Sequence, residues 1–505
     1  GSLSRLILGG FVAAGVLGGC GGSGDINISP VTTDSSTDNS VNNSNNVAAP
    51  VANPCASNGQ IQGDFDAPHC MYSTAFADSG NNIDVDMTLV DLDDDGAHVF
   101  SGSLFIGEDY TKGDLAAAGI TKGGDGPTLT IEAGATVAFV DKTKFMVIMR
   151  GSQIQAVGTA AKPITITSLS DVNGTISSPE AVSEWGGLVI NGFGVTNKCT
   201  YTGTRGTDLA LDGFCDVASE GSEGQDANHY GGDNDADDSG RLEYFIVKHT
   251  GNQVANGDEL NGITFSGVGS GTVVKNAQAY STYDDGFEFF GGSVNMENYV
   301  ALYVNDDSLD FDEGYNGTIT NALIIQSETN GNRCIEADGI GSYSSKTDAF
   351  ITDMLTRKLN SRPTVTNLTC IYSPVQVDSA TNEVSGGSGT GKHDPGAGFR
   401  LREGLFPTIN NALVVGTWQI SEAGSDNWAI RVDDTVASEG FAKGNASING
   451  AVIAAFAKSS KTIEGSNVSD WLVANNDVVF ADITDNVAVN PTSAADAGLV
   501  VLEGT

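Results

Sequence analysis

DDGFEFFGG (284–292) is followed 22 residues later, in register, by DDSLDFDEG (306–314). Asp284 matches Asp306, Asp285 matches Asp307, Phe287 matches Leu309 and Glu288 matches Asp310. A looser third copy, CIEADG (334–339), sets Ile335 and Glu336 in the places of Leu309 and Asp310. A repeat this short, built of alternating residues, means one coil stacked on the next. Strand side chains alternate between faces. Leu188, Ile263, Phe287, Leu309, Ile335, Phe399 and Ile430 are then the inward column. Val189, Thr264, Glu288, Asp310, Glu336, Arg400 and Arg431 are the outward one. With coils about 4.8 Å apart, Glu288, Asp310 and Glu336 form a row of like charges, which calls for a cation, shared protons or basic partners.

The pattern extends both ways. PTLTIEAGATVAF (127–139) and FMVIMRGSQIQAVGTAAKPITITS (145–168) alternate over short runs between glycine turns, too closely spaced for intervening helices. GSQIQAVGTAAKPITITS (151–168) resembles the entry segment of right-handed parallel β-helices of the pectate-lyase-like kind, over roughly 127–480. The expected fold is an all-β solenoid with rungs of about 22–26 residues, occupying 127–490. Residues 55–126 are expected to form an N-terminal cap, 197–240 a disulfide-pinned insertion and 491–505 a tail.

Composition agrees with many tight corners: 65 Gly and few long amphipathic stretches. The formal net charge of −40 argues against nucleic-acid partners and favours cations. Arg5 and the apolar run LILGGFVAAGVLGG end at Cys20, and the run is short for a membrane span. LGGC (17–20) resembles a bacterial lipobox, so residues 1–20 read as a signal segment with Cys20 lipidated. Residues 21–54 read as a disordered Gly/Ser/Asn tether. The implied address is the bacterial outer membrane, facing either the periplasm or the outside. Cys55–Cys70, Cys199–Cys215 and Cys334–Cys370 are the simplest disulfide pairings in such an oxidising compartment.

Three acidic sets are candidate Ca²⁺ ligands, because hard cations take oxygen donors. Asp91, Asp93 and Asp95 surround a turn ending at Gly96, although Gly102 stands where an EF-hand needs Glu. Asp233, Asp235 and Asp237 lie in the insertion. Asp284, Asp306 and Asp312 flank the repeated strands. The alternative is that these are corner residues, since Asp tolerates unusual backbone angles and caps turns. Phe290, Tyr283, Tyr299, Tyr303 and Tyr315 suit either a sugar platform or internal stacks.

Three readings of function follow. One is a lipid-anchored protein that binds glycan, a surface or metal with Ca²⁺. WGGLVINGFG and DDGFEFFGG also resemble exported bacterial β-helix proteins, some accompanying TonB-dependent receptors, so a transporter accessory is a variant. The second is a polysaccharide lyase or hydrolase using Asp285, Glu288, Asp307, Asp310, Glu336 and Arg400. The third is self-association into a surface filament through open sheet edges.

Overall fold

The computed structural model describes residues 52–110, 112–120, 125–221, 228–255, 258–327, 331–372, 396–416, 428–455 and 457–482. Cys20, most of the tether and the expected tail lie outside them. The chain divides into Gly1–Ala52 and Asn53–Thr505, and the elements below belong to the second unit.

That unit is a parallel β-helix. One face is a ten-stranded sheet: β1 (Leu104–Ile106), β2 (Met146–Ile148), β3 (Leu188–Asn191), β4 (Ile263–Ser266), β5 (Phe287–Phe290), β6 (Leu309–Asp312), β7 (Arg333–Asp338), β8 (Ala397–Arg402), β9 (Trp428–Val432) and β10 (Ala457–Ser460). Each strand pairs in parallel with the one a coil before and a coil after. Leu188, Ile263, Phe287, Leu309, Ile335, Phe399 and Ile430 are aligned and buried, as the inward column requires.

The opposite face is built of longer strands, including Val273–Tyr280, Asn295–Leu302, Thr318–Ile325, Thr364–Tyr372 and Thr408–Gly416. Each is bent at one asparagine with a left-handed backbone: Asn276, Asn298, Asn321, Asn367 and Asn411, with φ between 52° and 60°. Asparagine tolerates that region because its short amide bonds locally. Here the amides bond to each other, coil to coil, at 2.7–2.9 Å. The bend lets one strand wrap two sides of a continuous core, in which Phe265, Phe289, Phe311 and Tyr315 stack along the axis. Tyr299 and Tyr315 are fully buried in that stack, so they are not a sugar platform.

Parallel pairing begins within 55–126. Asp64–Asp66 pairs antiparallel with His69–Tyr72, and Cys55–Cys70 fastens the segment. His69–Tyr72 already pairs in parallel with Ala97–Phe100, and Met87–Leu89 with Thr128–Ile131. These strands are too short and too interrupted by turns to show a period in sequence. At the other end, helix Val468–Asn475 inserts Val468, Trp471 and Leu472 into the core.

Cys334–Cys370 crosses the interior, and Cys199–Cys215 lies within the insertion. The insertion is stapled to the coils by buried polar groups. Arg205 donates to both carboxylate oxygens of Asp235, at 2.7 and 2.8 Å, and to the carbonyls of Gly292 and Gly314. Asn197 donates to the carbonyls of Gly339 and Leu359, each at 3.0 Å. The buried Glu313 carboxylate accepts from Thr196 and Tyr230 and pairs with Lys198.

Candidate cation and ligand site

Two columns of side chains on the ten-stranded face carry the chemistry. The first lies at the corner entering each strand. Asn261 Oδ1 accepts from the Asp285 amide at 3.1 Å, Asp285 Oδ1 from the Asp307 amide at 3.0 Å, and Asp307 Oδ1 from the Arg333 amide at 2.8 Å. Asp285 and Asp307 therefore do serve as corner residues. Each carboxylate retains a second oxygen. The second column is Val189, Thr264, Glu288, Asp310, Glu336, Arg400 and Arg431, aligned as the repeat implied. Its members are not exposed: Glu288 and Glu336 are buried, and Asp310 is half-buried.

The columns divide by charge along the axis. At the Glu336 end the carboxylate is matched by guanidiniums: Arg333 at 2.8 Å, Arg402 at 2.5 Å and Arg400 at 3.5 Å. Arg400 also bonds Asp433 at 2.8 Å, and Arg402 bonds Asp338 at 2.9 Å. One coil earlier the carboxylates face each other. Ligand oxygens of Asp284, Asp285 and Asp306 lie within 4.8 Å of one another, as do those of Asp285, Asp307 and Asp310. Arg333 stands 4.0 Å from Asp307. Burial, then the neighbouring carboxylates, push Asp285, Asp307 and Asp310 well above the usual carboxylate range. Asp284 rises through burial and Asp306, and Glu288 through burial and Glu220. A partly buried cluster of this kind favours uptake of protons or a cation.

The donor set fits a hard cation. It is all oxygen, two triads share Asp285, and Ca²⁺ takes six to eight such ligands. Asn332 adds an independent sign. Its Nδ2 donates to Asp306 at 2.5 Å, while its Oδ1 is buried without a hydrogen-bond donor among the described residues. A half-turn of the amide presents that oxygen to the same place.

Several of these groups are not legible in the repeat. Asn261, Asn332 and Arg333 precede their strands, and Glu220 arrives from the aperiodic insertion to hydrogen-bond Glu288. The other two expected cation sets are not gathered into triads among the described residues. Asp91 pairs with Lys162 at 2.7 Å, and the turn at Asp94 and Asp95 is left-handed. Asp235 is engaged by Arg205, which supplies the positive charge a metal would. Asp237 is buried against Ser239, with its carboxyl pushed up to about 7 by burial. Asp233 accepts from the Leu211 amide, and Asp312 from the Glu313 amide.

A family description, the pectate-lyase-like β-helix domain, matches residues 114–499, more than half of the chain. The chain belongs to that family. Among solved structures, an alginate lyase from Paenibacillus sp. str. FPU-7 is 11% identical, over 72% of this chain and 94% of that one, with a TM-score of 0.18. No curated protein matches. Family membership accounts for the stacked coils, and the site rests on this chain's own residues.

Proposed function

We propose that this pectate-lyase-like β-helix binds an extended glycan on its ten-stranded face, through Ca²⁺ held by Asp284, Asp285, Asp306, Asp307 and Asp310. The single observation that carries the reading is the pair of carboxylate triads with shared Asp285. A cation there neutralises the cluster and offers open coordination positions to ligand hydroxyls or carboxylates. Lipidation at Cys20 would hold the domain at the outer membrane, where it presents glycan to the cell surface or to a transport receptor.

Binding is favoured over cleavage because Arg400, the basic candidate, is held between Glu336 and Asp433. Asp285 and Asp307 are likewise committed to backbone amides. The test is calorimetric titration of the whole protein with Ca²⁺, beside Asp306→Asn and Asp310→Asn, followed by glycan binding with and without chelator. Saturable Ca²⁺ binding lost in both variants, with glycan retained only when Ca²⁺ is present, is the expected result. Absence of Ca²⁺ binding to the unsubstituted protein overturns the reading. Product release from a glycan panel would move the assignment to a lyase or hydrolase.

A further inference from the structure

The long strands opposite the ten-stranded face carry two outward columns beyond their asparagine bend. One aligns Leu323, Thr369, Leu413, Val452 and Val479. The other, two residues further along, aligns Ile325, Ile371, Val415, Ala454 and Ala481. Their inward neighbours Ile324, Cys370, Val414 and Ile453 are fully buried, so these columns leave the coil on the outside. An outward side would ordinarily be polar, and nine of these ten residues are apolar.

In the earlier coils the chain covers this side itself. Helix Leu169–Val172 packs Leu169 and Val172 on Ala97, Val99 and Ala138. The residues that follow it reach further along the axis. The Ala181 carbonyl bonds His249 at 2.6 Å, the Pro179 carbonyl accepts from Ser281 at 3.3 Å, and Glu180 accepts from Ser327 at 2.6 Å. Tyr280 and Leu302, which head the second column, are buried. Beyond Ser327 the same side opens: Leu413 is 42% exposed, Val452 44% and Val479 58%.

Charge changes at the same place. Strands Gly240–Lys248, Val273–Tyr280 and Asn295–Leu302 each carry a charged side chain, among them the Lys275–Glu297 pair at 3.2 Å. Strands Thr318–Ile325, Thr364–Tyr372, Thr408–Gly416, Ser447–Asn449 and Ala451–Ala455 carry none. On a chain of net charge −40, two copies repel wherever their ordinary surfaces meet, and least on a side free of charge. A membrane surface would draw on basic and aromatic anchors, which both columns lack.

We propose that this side is an interface between two copies of the chain, related by a two-fold axis that sets the Leu413–Val452–Val479 column against its counterpart. A two-fold makes the patch its own complement, so no second surface is required. Five coils span about 19 Å and the columns lie about 7 Å apart. With its side chains that is on the order of 300 Å² of apolar core, against about 800 Å² per partner in a stable interface. The exposed amides of Asn321, Asn367 and Asn411 border the patch and supply an uncharged polar rim. The pairing does not depend on the cation site.

Sedimentation of the whole unlipidated protein over a dilution series tests it, beside Leu413→Lys, Val452→Lys and, on the polar side, Lys275→Ala. The unsubstituted protein is expected to form a dimer that dissociates on dilution. Each lysine should weaken pairing about a hundredfold or more, because it would bury an unpaired charge. Lys275→Ala should pair as before. Melting of the monomer and Ca²⁺ titration should not change, since Leu413 and Val452 are exposed in a single copy. If Leu413→Lys melts early, Val479→Lys repeats the comparison. A monomer at every concentration, or a dimer that survives both lysines, overturns the interface. A monomer that binds phosphatidylcholine vesicles and is released by the same substitutions overturns it in favour of a lipid surface.

Discussion

Neutralising one carboxylate on adjacent coils should shift stability in opposite directions. Glu336 is buried among three guanidiniums, of which Arg333 is itself 3% exposed. Glu336→Gln keeps the shape and removes the charge that the three guanidiniums share, although Arg400 keeps Asp433 and Arg402 keeps Asp338. Breaking a buried ion pair in this way costs about 3–5 kcal/mol. Asp310 lies in the triad whose oxygens are within 4.8 Å. At that separation and an effective dielectric near 20, two ionised carboxylates repel by about 3 kcal/mol. The cluster relieves part of this by taking up protons, so Asp310→Asn is expected to stabilise the cation-free protein by about 1–2 kcal/mol. Denaturant unfolding in chelator at neutral pH reads both changes. With saturating Ca²⁺ the sign at Asp310 should reverse, because the substitution removes a ligand. Asp310→Asn destabilising the chelated protein, or Glu336→Gln stabilising it, would refute the division of the columns by charge.

The same cluster sets a pH dependence. Its carboxyls are raised in the fold, so their contribution is fully present below the unfolded values near 4 and is lost as pH rises toward the folded ones. In chelator the melting temperature should fall as pH rises above about 4. Asp237 and Asp338, outside the cluster and each pushed up to about 7, should add to the fall up to that pH. Ca²⁺ should flatten the profile, and a flat profile in chelator would count against the buried cluster. Asn321→Ala removes two ladder bonds and leaves a β-carbon at φ 60° without the amide that helps asparagine tolerate that region. It should cost about 2–3 kcal/mol in urea unfolding, with Asn321→Gly costing less because glycine accepts that backbone. Arg205→Ala should loosen the insertion, read as faster proteolysis within 197–240 and weaker Ca²⁺ binding as Glu220 is released.

The stacked columns were legible because a solenoid repeats its in–out pattern with its coils. Phe287, Leu309 and Ile335 lie in one column in the sequence and in the fold. The asparagine ladder at 276, 298, 321, 367 and 411 was hidden by its uneven spacing and by the further asparagines at 295 and 410 in the same strands. Remote pairing was not legible. Nothing within 233–237 shows that Arg205 will engage Asp235, and nothing in the 284–314 repeat shows that Glu220 will arrive from a loop without a period. Burial of the outward row was hidden for a related reason. The alternation of a strand tells which way a side chain leaves the coil, and not what lies over it.

Site and solenoid are therefore one construction. Each coil adds one corner residue and one outward residue to the face, about 4.8 Å from the last. The local charge is set coil by coil: Asp285 and Glu288, then Asp307 and Asp310, then Arg333 and Glu336, then Ala397 and Arg400, then Trp428 and Arg431. The face runs from acidic to basic within five coils, on a chain whose net charge is −40. A uniform acidic surface would need no such gradient to stay soluble. On the binding reading proposed above, charges at fixed spacing would select a ligand by the spacing of its own polar groups, so exchanging charges between coils should change the preferred ligand length before it changes the fold.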